Sequence, residues 1–304
     1  MIVYREAETL ARDLGFSVRT LYAVSNDLSR HYRTVELPKG DGTVRVLSVP
    51  SPLLKTIQRR ITERLLVHMP VSPCAPAYRY GGSPLRNAAP HTGQSLVLNL
   101  DIRHFFDSIL YSAVKDCAFP ARIYAESLRV LLTMLCYHGD SLPQGAPSSP
   151  AISNLVLRDF DLETAAWCRQ RNIIYTRYCD DMTFSGDFDP REVIAFAEAS
   201  LRKYGFFLNW DKTRTARPGQ RQTVTGLVVN EHPAVPPAYR RQLRQELRFC
   251  QRFGVEDHLA RTNSPLDPET YLQSLLGRVG YVLQVTPDSA EAREWRAWIL
   301  KELA

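Results

Sequence analysis

Three aspartates are the residues of this chain best placed to do chemistry. Asp101 follows the apolar run at 96–100, and Asp180 and Asp181 lie at a tight reversal between two β-branched and aromatic runs. A turn acid is usually alone and solvated, whereas two adjacent carboxylates at the ends of buried strands repel each other unless a cation lies between them. If the strands are neighbours in one sheet, the carboxylates converge at one edge and hold divalent ions. Such a site suits two-metal phosphoryl transfer.

The elements that must position these aspartates are predicted from apolar periodicity and turn residues. From Asp101 to Asn230 the order is strand, helices, hairpin, helix, strand, which predicts an α+β fold with helices on one face of an antiparallel sheet. Pro236 and Pro237 then mark a boundary, after which the chain becomes helical and basic. The other predicted elements are short helices within 1–35, a hairpin at Asp41-Gly42, a helix over 53–69, an irregular stretch over 70–92, and strands near 206–209 and 223–229.

Capping residues predict the helix boundaries on either side of the aspartate hairpin. Ser149 is the expected N-cap of a long helix that has Pro150 in its first turn. Asp189-Pro190 begins another helix, and Gly205 ends it.

The composition indicates a folded protein that binds a polyanion. The chain has 304 residues, 44% of them hydrophobic, which suggests roughly two domains of about 150 residues each. The net charge is +6, from 38 Lys+Arg and 32 Asp+Glu, and the pI is near 9.0. A basic balance of this kind favours nucleic acid as the partner.

Cysteine and histidine spacing argues against zinc sites and disulfides. The six cysteines contain no C-x-x-C pair, and the seven histidines do not pair at zinc spacing. Reduced thiols in a cytosol are the better interpretation. No early apolar segment resembles a signal peptide, and no run approaches the ~18 residues that a membrane span needs. We therefore expect a cytoplasmic protein with no membrane partner.

Five sequence blocks occur in the order typical of reverse transcriptases. From about residue 38 to residue 230 the chain resembles this family, and five blocks in the right order are far more specific than any one of them. The blocks are Arg45-x-Leu47-x-x-Pro50, Asp101-Ile102-x-x-Phe105-Phe106-x-Ser108-Ile109, Leu142-Pro143-Gln144-Gly145-x-x-x-Ser149-Pro150, Tyr178-Cys179-Asp180-Asp181 and Leu208-Asn209-x-x-Lys212-Thr213.

Two further motifs, Asn87-Ala88-x-x-His91 and Val224-Thr225-Gly226, resemble signatures of bacterial retron reverse transcriptases. That resemblance implies an enzyme that copies a structured non-coding RNA (msr-msd) into branched single-stranded msDNA, primed from the 2′-OH of an internal guanosine. It also implies anti-phage defence together with an effector or toxin protein. No RNase H segment follows the thumb-like end, so a host RNase H is expected to remove the template. Cys179 departs from the commonest retron box, which has alanine at this variable position.

The same resemblance implies a right-hand polymerase fold with fingers, a ferredoxin-like palm and a short helical thumb. We expect N-terminal helices and fingers over 1–95 and the palm over 96–230, with a fingers insertion at about 112–140. A helical thumb that binds RNA and msDNA is expected over 231–304.

For catalysis, the resemblance assigns Asp101 and Asp180 as ligands of two Mg²⁺ ions, with Asp181 in support. The backbone carbonyl of Ile102 is an expected further ligand, because Mg²⁺ prefers six oxygens. One ion activates the attacking hydroxyl, and the other neutralises the triphosphate and the departing pyrophosphate. A solvated acidic loop is the alternative interpretation of the same turn.

Residues on both sides of Asp101 are expected to bind the incoming dNTP. The ring of Phe106 is expected to close off the 2′ side of the sugar and so select deoxynucleotides; the alternative is a core phenylalanine. Gln144 and Gly145 are expected against the nucleotide and the template base, and glycine allows close backbone approach. A simple Pro-Gly turn would also fit these residues.

Three cations are candidates for contacts with the triphosphate. Arg45 and Lys39 flank the Asp-Gly turn, where they either reach the triphosphate or remain solvated. Lys212 either donates a proton to pyrophosphate or pairs with Asp211.

RNA contacts are expected at both retron motifs and at one helix. Asn87 and His91 either brace RNA or stabilise their loop, and recognition of RNA by Val224, Thr225 and Gly226 is implied only by the resemblance. A helix after Pro237 carries a stripe of arginines that suits a helix laid along phosphates, although such a stripe is often merely solvated. The stripe consists of Arg241, Arg244, Arg248 and Arg252.

Two other functions remain open at this point. One is a group II intron-like or other bacterial reverse transcriptase, although such proteins generally carry further domains or lack the two retron motifs. The other is a scaffold that holds RNA or msDNA to restrain a toxic effector. The intact Asp101, Asp180 and Asp181 argue against a purely structural role but do not exclude both roles together.

Overall fold

The computed structural model describes residues 3–38, 42 and 44–304. Most of this length is helical, and the longer strands form one four-stranded sheet and one hairpin. The helices are α1 (Ala7–Leu14), α2 (Val18–Asn26), α3 (Pro52–Arg64), α4 (Pro84–Ala88), α5 (Tyr111–Ala118), α6 (Glu126–Cys136), α7 (Ser149–Val156), α8 (Arg158–Arg169), α9 (Pro190–Lys203), α10 (Pro237–Phe253), α11 (Val255–Thr262), α12 (Pro268–Val285) and α13 (Ala290–Glu302). The strands are β1 (Tyr32–Pro38), β2 (Val44–Pro50), β3 (Val97–Asp101), β4 (Ile174–Tyr178), β5 (Asp181–Ser185), β6 (Arg214–Ala216), β7 (Thr223–Val224) and β8 (Leu227–Val228).

The chain forms two compact units, and each is discontinuous in sequence. The first unit comprises Met1–Gly82 and Leu98–Thr215, and the second comprises Ser83–Val97 and Ala216–Ala304. The expected division into fingers, palm and thumb at residues 95 and 230 is defined by function and not by compact packing, and it stays a prediction.

The four-stranded sheet of the first unit has the strand order β4-β5-β3-β6. Strands β4 and β5 are the predicted aspartate hairpin, paired antiparallel from Ile174 opposite Ser185 to Tyr178 opposite Asp181. Strand β3 lies beside β5, so its last residue, Asp101, ends at the same edge as the hairpin turn. The predicted neighbour relation of these strands is thus observed.

A second hairpin, β1–β2, lies ahead of the sheet in sequence. Its seven residue pairs run from Tyr32 opposite Pro50 to Pro38 opposite Val44. The predicted hairpin is therefore present, while Lys39 and Asp41 lie outside the described residues. Helix α3 begins directly after β2, with Ser51 as N-cap and Pro52 in the first turn, and buries Leu54, Ile57 and Ile61.

The second unit is largely a helical bundle. Helices α10, α11, α12 and α13 pack against one another, and the short β7–β8 hairpin joins the same core. On α10 the buried residues Leu243, Leu247 and Cys250 recur at helical spacing. The apolar side of α10 therefore faces a core.

Several boundaries differ from the sequence predictions. The helix after Pro147 begins at Ser149, whose hydroxyl donates to the carbonyl of Pro143 instead of capping the helix, and the helix breaks into α7 and α8 around Leu157. Residues 206–209 make only the isolated bridge between Ile102 and Leu208. The 70–92 stretch contains α4 and one turn of 3₁₀ helix over Ala89–His91. Asp189 does cap α9 as predicted, accepting from the Arg191 amide at 2.9 Å.

Among the described residues, no helix combines the length and the apolar character needed to cross a bilayer.

Candidate active site

The turn between β4 and β5 presents the adjacent aspartates in a fixed backbone conformation. Cys179 has a φ of 62°, in the left-handed region that non-glycine residues seldom adopt. Its carbonyl accepts a hydrogen bond from Nη1 of Arg177 at 2.8 Å. The Asp180 carbonyl accepts from the backbone amide of Ile102 at 3.0 Å, which fastens the turn to the residue after β3.

The three aspartates converge at this edge of the sheet. Carboxylate oxygens of Asp101, Asp180 and Asp181 all lie within 4.8 Å of one another. Asp101 is 3% exposed, Asp180 is half-buried, and Asp181 is partly open to solvent. Oxygen-only ligands at this spacing suit a hard divalent cation such as Mg²⁺.

The electrostatics of the cluster favour a cation. Burial, followed by the charge of Asp101, raises the pKa of Asp180. Desolvation within the cleft, followed by the charges of Asp180 and Asp101, raises the pKa of Asp181 to about 6 even though part of that side chain is exposed. Like charges held this close resist ionisation unless a positive charge compensates them. The donor set therefore fits divalent metal ions.

Two residues from the block after the hairpin hold Asp101 in place. Nδ2 of Asn209 donates to Oδ1 of Asp101 at 2.9 Å, and Nζ of Lys212 lies 2.7 Å from Oδ2. The hydrogen bond to Asp101 raises the pKa of Lys212, so its ammonium stays protonated. Of the two options for Lys212, pairing with Asp211 is wrong, because the partner is Asp101.

The cluster lies in a cleft of about 1000 Å³ that belongs to the first unit. Arg45 and its neighbours on β2 form part of the wall, and Phe106 and Gln144 contribute to the lining. The cleft also contains Tyr78, Ile102, Cys179, Asn209 and Lys212.

The two adjacent phenylalanines take different positions. Phe105 is 4% exposed and packs against Phe206 with ring centroids 5.6 Å apart, as a core residue does. Phe106 is only half-buried, lines the cleft, and meets the Phe105 ring edge-on at 5.4 Å. Phe106 is therefore the one of the pair whose ring is available to a ligand.

The Gln144-Gly145 pair contacts the β1–β2 hairpin. The Gln144 carbonyl accepts from the Ser48 amide at 2.8 Å, and its side-chain amide donates to Oδ1 of Asp107 at 3.4 Å. Gly145 has a φ of 117°, and a Cβ there would lie 3.0 Å from the Ser48 carbonyl oxygen. Glycine at this position is thus explained by close approach to β2, and Gly145 itself is not part of the cleft lining.

Comparison with known proteins decides the family. Residues 37–239 match the family model described as reverse transcriptase (RNA-dependent DNA polymerase). The chain is 36% identical over 312 residues to the retron Mx65 reverse transcriptase of Myxococcus xanthus, covering 95% of this chain and 70% of that protein. This chain belongs to the retron reverse transcriptases. It is an RNA-directed DNA polymerase by family, with the α+β right-hand polymerase fold that the motif order predicted.

Two further retron reverse transcriptases are similar to most of this chain. The retron Ec86 reverse transcriptase of Escherichia coli is 30% identical over 264 residues, which cover 84% of this chain and 82% of that protein. The retron Mx162 enzyme of Myxococcus xanthus is 31% identical, and the match covers 94% of this chain and 65% of that protein. Among solved structures, a Candida albicans telomerase in complex with a telomeric RNA fragment is similar, with a TM-score of 0.45 and 10% identity, covering 93% of this chain and 65% of that one.

The two retron motifs of this reverse transcriptase pack against each other inside the second unit. Helix α4 carries Asn87, and the hydroxyl of Thr225 donates to the carbonyl of Pro84 at 3.0 Å. Asn87 and His91 have no exposed surface, and Val224 is 1% exposed. Both polar atoms of the Asn87 side chain are buried and have no hydrogen-bond partner among the described residues. These side chains build the core and do not present themselves at the surface in this conformation.

The stretch near 223–229, predicted as one strand, is instead the β7–β8 hairpin, and Val224-Thr225-Gly226 contains its two-residue turn. Thr225 and Gly226 have φ angles of 46° and 79°, and Val224 pairs with Leu227. Two successive positive φ angles are the mark of a type I′ hairpin turn. Of this motif, Thr225 and Gly226 form the tip.

Burial of His91 makes the second unit sensitive to acid. Burial lowers the pKa of His91 to about 4 from its ordinary 6.5. Between pH 6.5 and 4 the unfolded chain binds a proton that the folded unit does not. The free energy of unfolding therefore decreases by ~1.4 kcal/mol for each unit by which the pH is lowered, or by ~3 kcal/mol in all. We expect urea unfolding of His91→Gln to lose this part of the pH dependence. The exposed His232→Gln serves as the control, and equal pH profiles for both variants would contradict the expectation.

The arginine stripe on α10 is divided by the structure into paired and unpaired members. Arg244 forms an ion pair with Glu291, its Nη2 lying 2.9 Å from Oε2. Arg241, Arg248 and Arg252 are exposed, and within the described part of the chain none makes an ion pair. Arg244 therefore serves the helix packing, while the other three remain open to a ligand.

Two site residues were missed by sequence reasoning. Tyr78 lines the cleft with a φ of 59° and contacts the Cys179 thiol, but nothing in its sequence surroundings indicates this. Arg177 is completely buried against Asp161. In the sequence it is a single charged residue near the end of a strand, and nothing there indicates that it is buried. Asn209 belongs to the Leu208-Asn209-x-x-Lys212-Thr213 block, so the block could have suggested its contact with Asp101.

Proposed function

We propose that this chain copies a structured non-coding RNA into branched single-stranded msDNA, primed from the 2′-OH of an internal guanosine, by nucleotidyl transfer dependent on two Mg²⁺ ions. The observation that carries the proposal is the convergence of Asp101, Asp180 and Asp181 within 4.8 Å in a retron reverse transcriptase. The raised pKa values of Asp180 and Asp181 support it, because a cation removes the repulsion that contributes to them.

In this proposal Asp101 and Asp180 hold the metal ions, Asp181 supports them, and the carbonyl of Ile102 adds an oxygen ligand. When bound, the ions would supply Lewis-acid activation of the attacking hydroxyl and neutralise charge on the triphosphate. Asn209 and Lys212 fix both carboxylate oxygens of Asp101 before substrate binds. Lys212, whose pKa the hydrogen bond to Asp101 raises, thereby acts as a charged orienting group, and it is the proposed proton donor to the leaving pyrophosphate.

Arg45 and Gln144 line the same cleft as Asp101 and Asp180 and complete the proposed nucleotide pocket. Burial and the charge of Asp101 raise the pKa of Asp180, and the nearby Arg45 guanidinium offsets part of that rise. The same guanidinium can bind the triphosphate in bidentate fashion. Gln144 is held by Ser48 and Asp107 in position for the incoming base pair, and Gly145 lets β2 approach.

Phe106 is proposed as the gate that excludes ribonucleotides. We expect Phe106→Ala to reduce discrimination between a dNTP and the matching NTP roughly hundredfold, because the 2′ side of the pocket loses its wall. The measurement is the ratio of kcat/KM for dGTP and GTP on one template. Phe106→Tyr keeps the ring, so its ratio of kcat/KM for dGTP and GTP should equal that of the wild type. An unchanged ratio in Phe106→Ala would contradict the assignment of Phe106 as the gate.

RNA and msDNA are proposed to bind the thumb, residues 231–304, through the exposed Arg241, Arg248 and Arg252. We propose that Asn87, His91 and Val224 act from the core by shaping the Thr225-Gly226 tip that meets the RNA. The remaining partners in this proposal are dNTP substrates, an effector or toxin protein in anti-phage defence, and a host RNase H. None of the proposed roles requires a membrane.

The experiment that tests the function is expression of the protein with about half a kilobase of its flanking DNA. The purified protein is treated with RNase, DNase and a debranching enzyme, and the bound nucleic acid is sized. A 2′,5′-linked RNA–DNA hybrid that is absent from Asp180→Asn would establish msDNA synthesis. Linear cDNA alone would favour a group II intron-like or other bacterial enzyme, and RNA without DNA would favour the scaffold.

A further inference from the structure

A basic cleft at the base of the β1–β2 hairpin is not used by the proposed chemistry. Its volume is about 670 Å³, and it shares no lining residue with the active-site cleft. It lies where the first turns of α3 meet the start of β1 and the end of β2. Its lining includes Arg30, His31, Arg33, Ser51, Lys55 and Arg59.

The backbone around the basic cleft is held by local hydrogen bonds. The Ser51 amide donates to the His31 carbonyl at 2.7 Å, directly beyond the Tyr32–Pro50 pair. Nδ1 of His31 and Oγ of Ser51 are 2.9 Å apart, and the same hydroxyl caps α3. The cleft is therefore a fixed feature of the fold and not a gap between loose side chains.

The charge of the basic cleft is one-sided. Of the residues that the structure describes, four with cationic side chains line it and no acid does. Arg30 has an exposed partner, Asp27, at 3.1 Å. Within the described ranges, Arg33, Lys55 and Arg59 make no side-chain hydrogen bond or ion pair. Like charges gathered without counter-charges repel one another, and an anion in the cleft would relieve this.

Helix α3 adds to the positive potential. Its first turn contains no acid, and Lys55 follows at the fourth helical position. The N-terminus of a helix carries a partial positive charge, so a lysine there is unfavourable unless an anion is bound. Lys55 and Arg59 are four residues apart and lie on one side of the helix, opposite the buried Leu54 and Ile61.

The β1–β2 hairpin connects this cleft to the active site. Val44 to Val46 line the active-site cleft, while Val49 and Pro50 line the basic cleft. At about 3.3 Å per residue, the five steps along the strand from Arg45 to Pro50 span roughly 17 Å. A strand leaving the active site along the hairpin would therefore reach the basic cleft within a few nucleotides.

We propose that the basic cleft binds the phosphate backbone of a single nucleic-acid strand outside the active site. Three of its four cations are arginines, whose planar guanidinium groups match phosphate oxygens in bidentate geometry. The strand is either RNA or the DNA product, since both offer the same phosphates. The inference rests on the proposed function only in that it takes nucleic acid to be the ligand.

The test is the salt dependence of binding. A triple variant, Arg33→Gln/Lys55→Gln/Arg59→Gln, is freed of nucleic acid, and its affinities for 20-nucleotide RNA and DNA are measured by fluorescence anisotropy across a salt series. The slope of log K against log[salt] is negative, and for a single strand its magnitude decreases by about 0.7 for each phosphate that the variant no longer neutralises. We therefore expect the magnitude of the slope to decrease by about 2. Whichever oligonucleotide shows the decrease identifies the strand.

A matched control separates the cleft from general charge. Arg12→Gln/Arg19→Gln/Arg64→Gln removes the same charge from exposed positions of the same unit that do not line the cleft. We expect the control to keep the wild-type slope. Equal slopes for the two triple variants would overturn the proposal. Competition by polyglutamate as effective as that by RNA would also overturn it, in favour of an acidic polypeptide.

A second measurement uses the unchanged protein, in case the triple variant does not fold. Bound oligonucleotide should protect Lys55 from acetylation more than the exposed reference Lys203, as read by mass spectrometry. Equal reactivity of Lys55 with and without oligonucleotide would count against the cleft. Neither assay needs catalysis, so a chain that fails to make msDNA can still support this proposal, and an active polymerase can still refute it.

Discussion

Asp180→Asn will abolish DNA synthesis, with a decrease in rate of roughly a thousandfold or more, while the protein stays folded. The substitution removes one of three carboxylates whose oxygens lie within 4.8 Å, so divalent ions held at this cluster would lose a ligand. It also removes a like charge beside Asp101 and Asp181, so stability in metal-free buffer should not fall. Primer extension measures the first effect and urea unfolding the second.

The control for Asp180→Asn is Asp187→Asn. Asp187 is an exposed acid between β5 and α9, outside the metal cluster. Wild type and control should both gain thermal stability when Mg²⁺ is added, because a ligand that binds only the folded state stabilises it. Asp180→Asn should gain less. Synthesis at near wild-type rate by Asp180→Asn would refute the assignment of the metal centre.

Arg177→Met is expected to destabilise the first unit by about 3–5 kcal/mol, because it leaves the carboxylate of Asp161 buried without its counter-charge. Both side chains have no exposed surface. Nε and Nη2 of Arg177 donate to the two Asp161 oxygens at 2.8 and 2.7 Å. The free energy of unfolding from urea titration measures the loss.

The same substitution also loosens the catalytic turn, because Arg177 no longer holds the Cys179 carbonyl. The double variant Asp161→Leu/Arg177→Met removes both charges of this buried pair, so it should regain most of the stability. It should not regain the full rate of synthesis, since the hydrogen bond to the Cys179 carbonyl is not restored. Arg202→Met, which breaks an exposed pair with Glu198 at 2.7 Å, should cost below about 1 kcal/mol. A similarly small cost for Arg177→Met would contradict the expectation.

The convergence of the three aspartates could be predicted because its signals are local in sequence. Two adjacent acids lie between two strand-like runs, and a third acid follows another such run. These acids come together if the three strands are neighbours in one sheet, and the observed strand order makes them neighbours. The hairpin at residue 42 and the cap at Asp189 are local for the same reason.

What could not be predicted depends on partners distant in the chain. Arg244 is neutralised by Glu291, 47 residues away, and no periodicity on α10 reveals this. The break at Leu157 has no Gly or Pro to mark it. Thr225 is β-branched and therefore favours a strand. It nevertheless has a positive φ in a turn, and the hydrogen bond from its hydroxyl to the Pro84 carbonyl supports the shape of that turn.

The discontinuity of the second unit limits how retron polymerases can be recombined. Ser83–Val97 belongs with Ala216–Ala304, and the Thr225 hydroxyl reaches back to Pro84. A chimera that exchanges only the C-terminal segment would combine a donor hairpin with a host α4, and the interface between the two would be mismatched. Transplanting this second unit from one retron polymerase to another therefore requires moving both segments together.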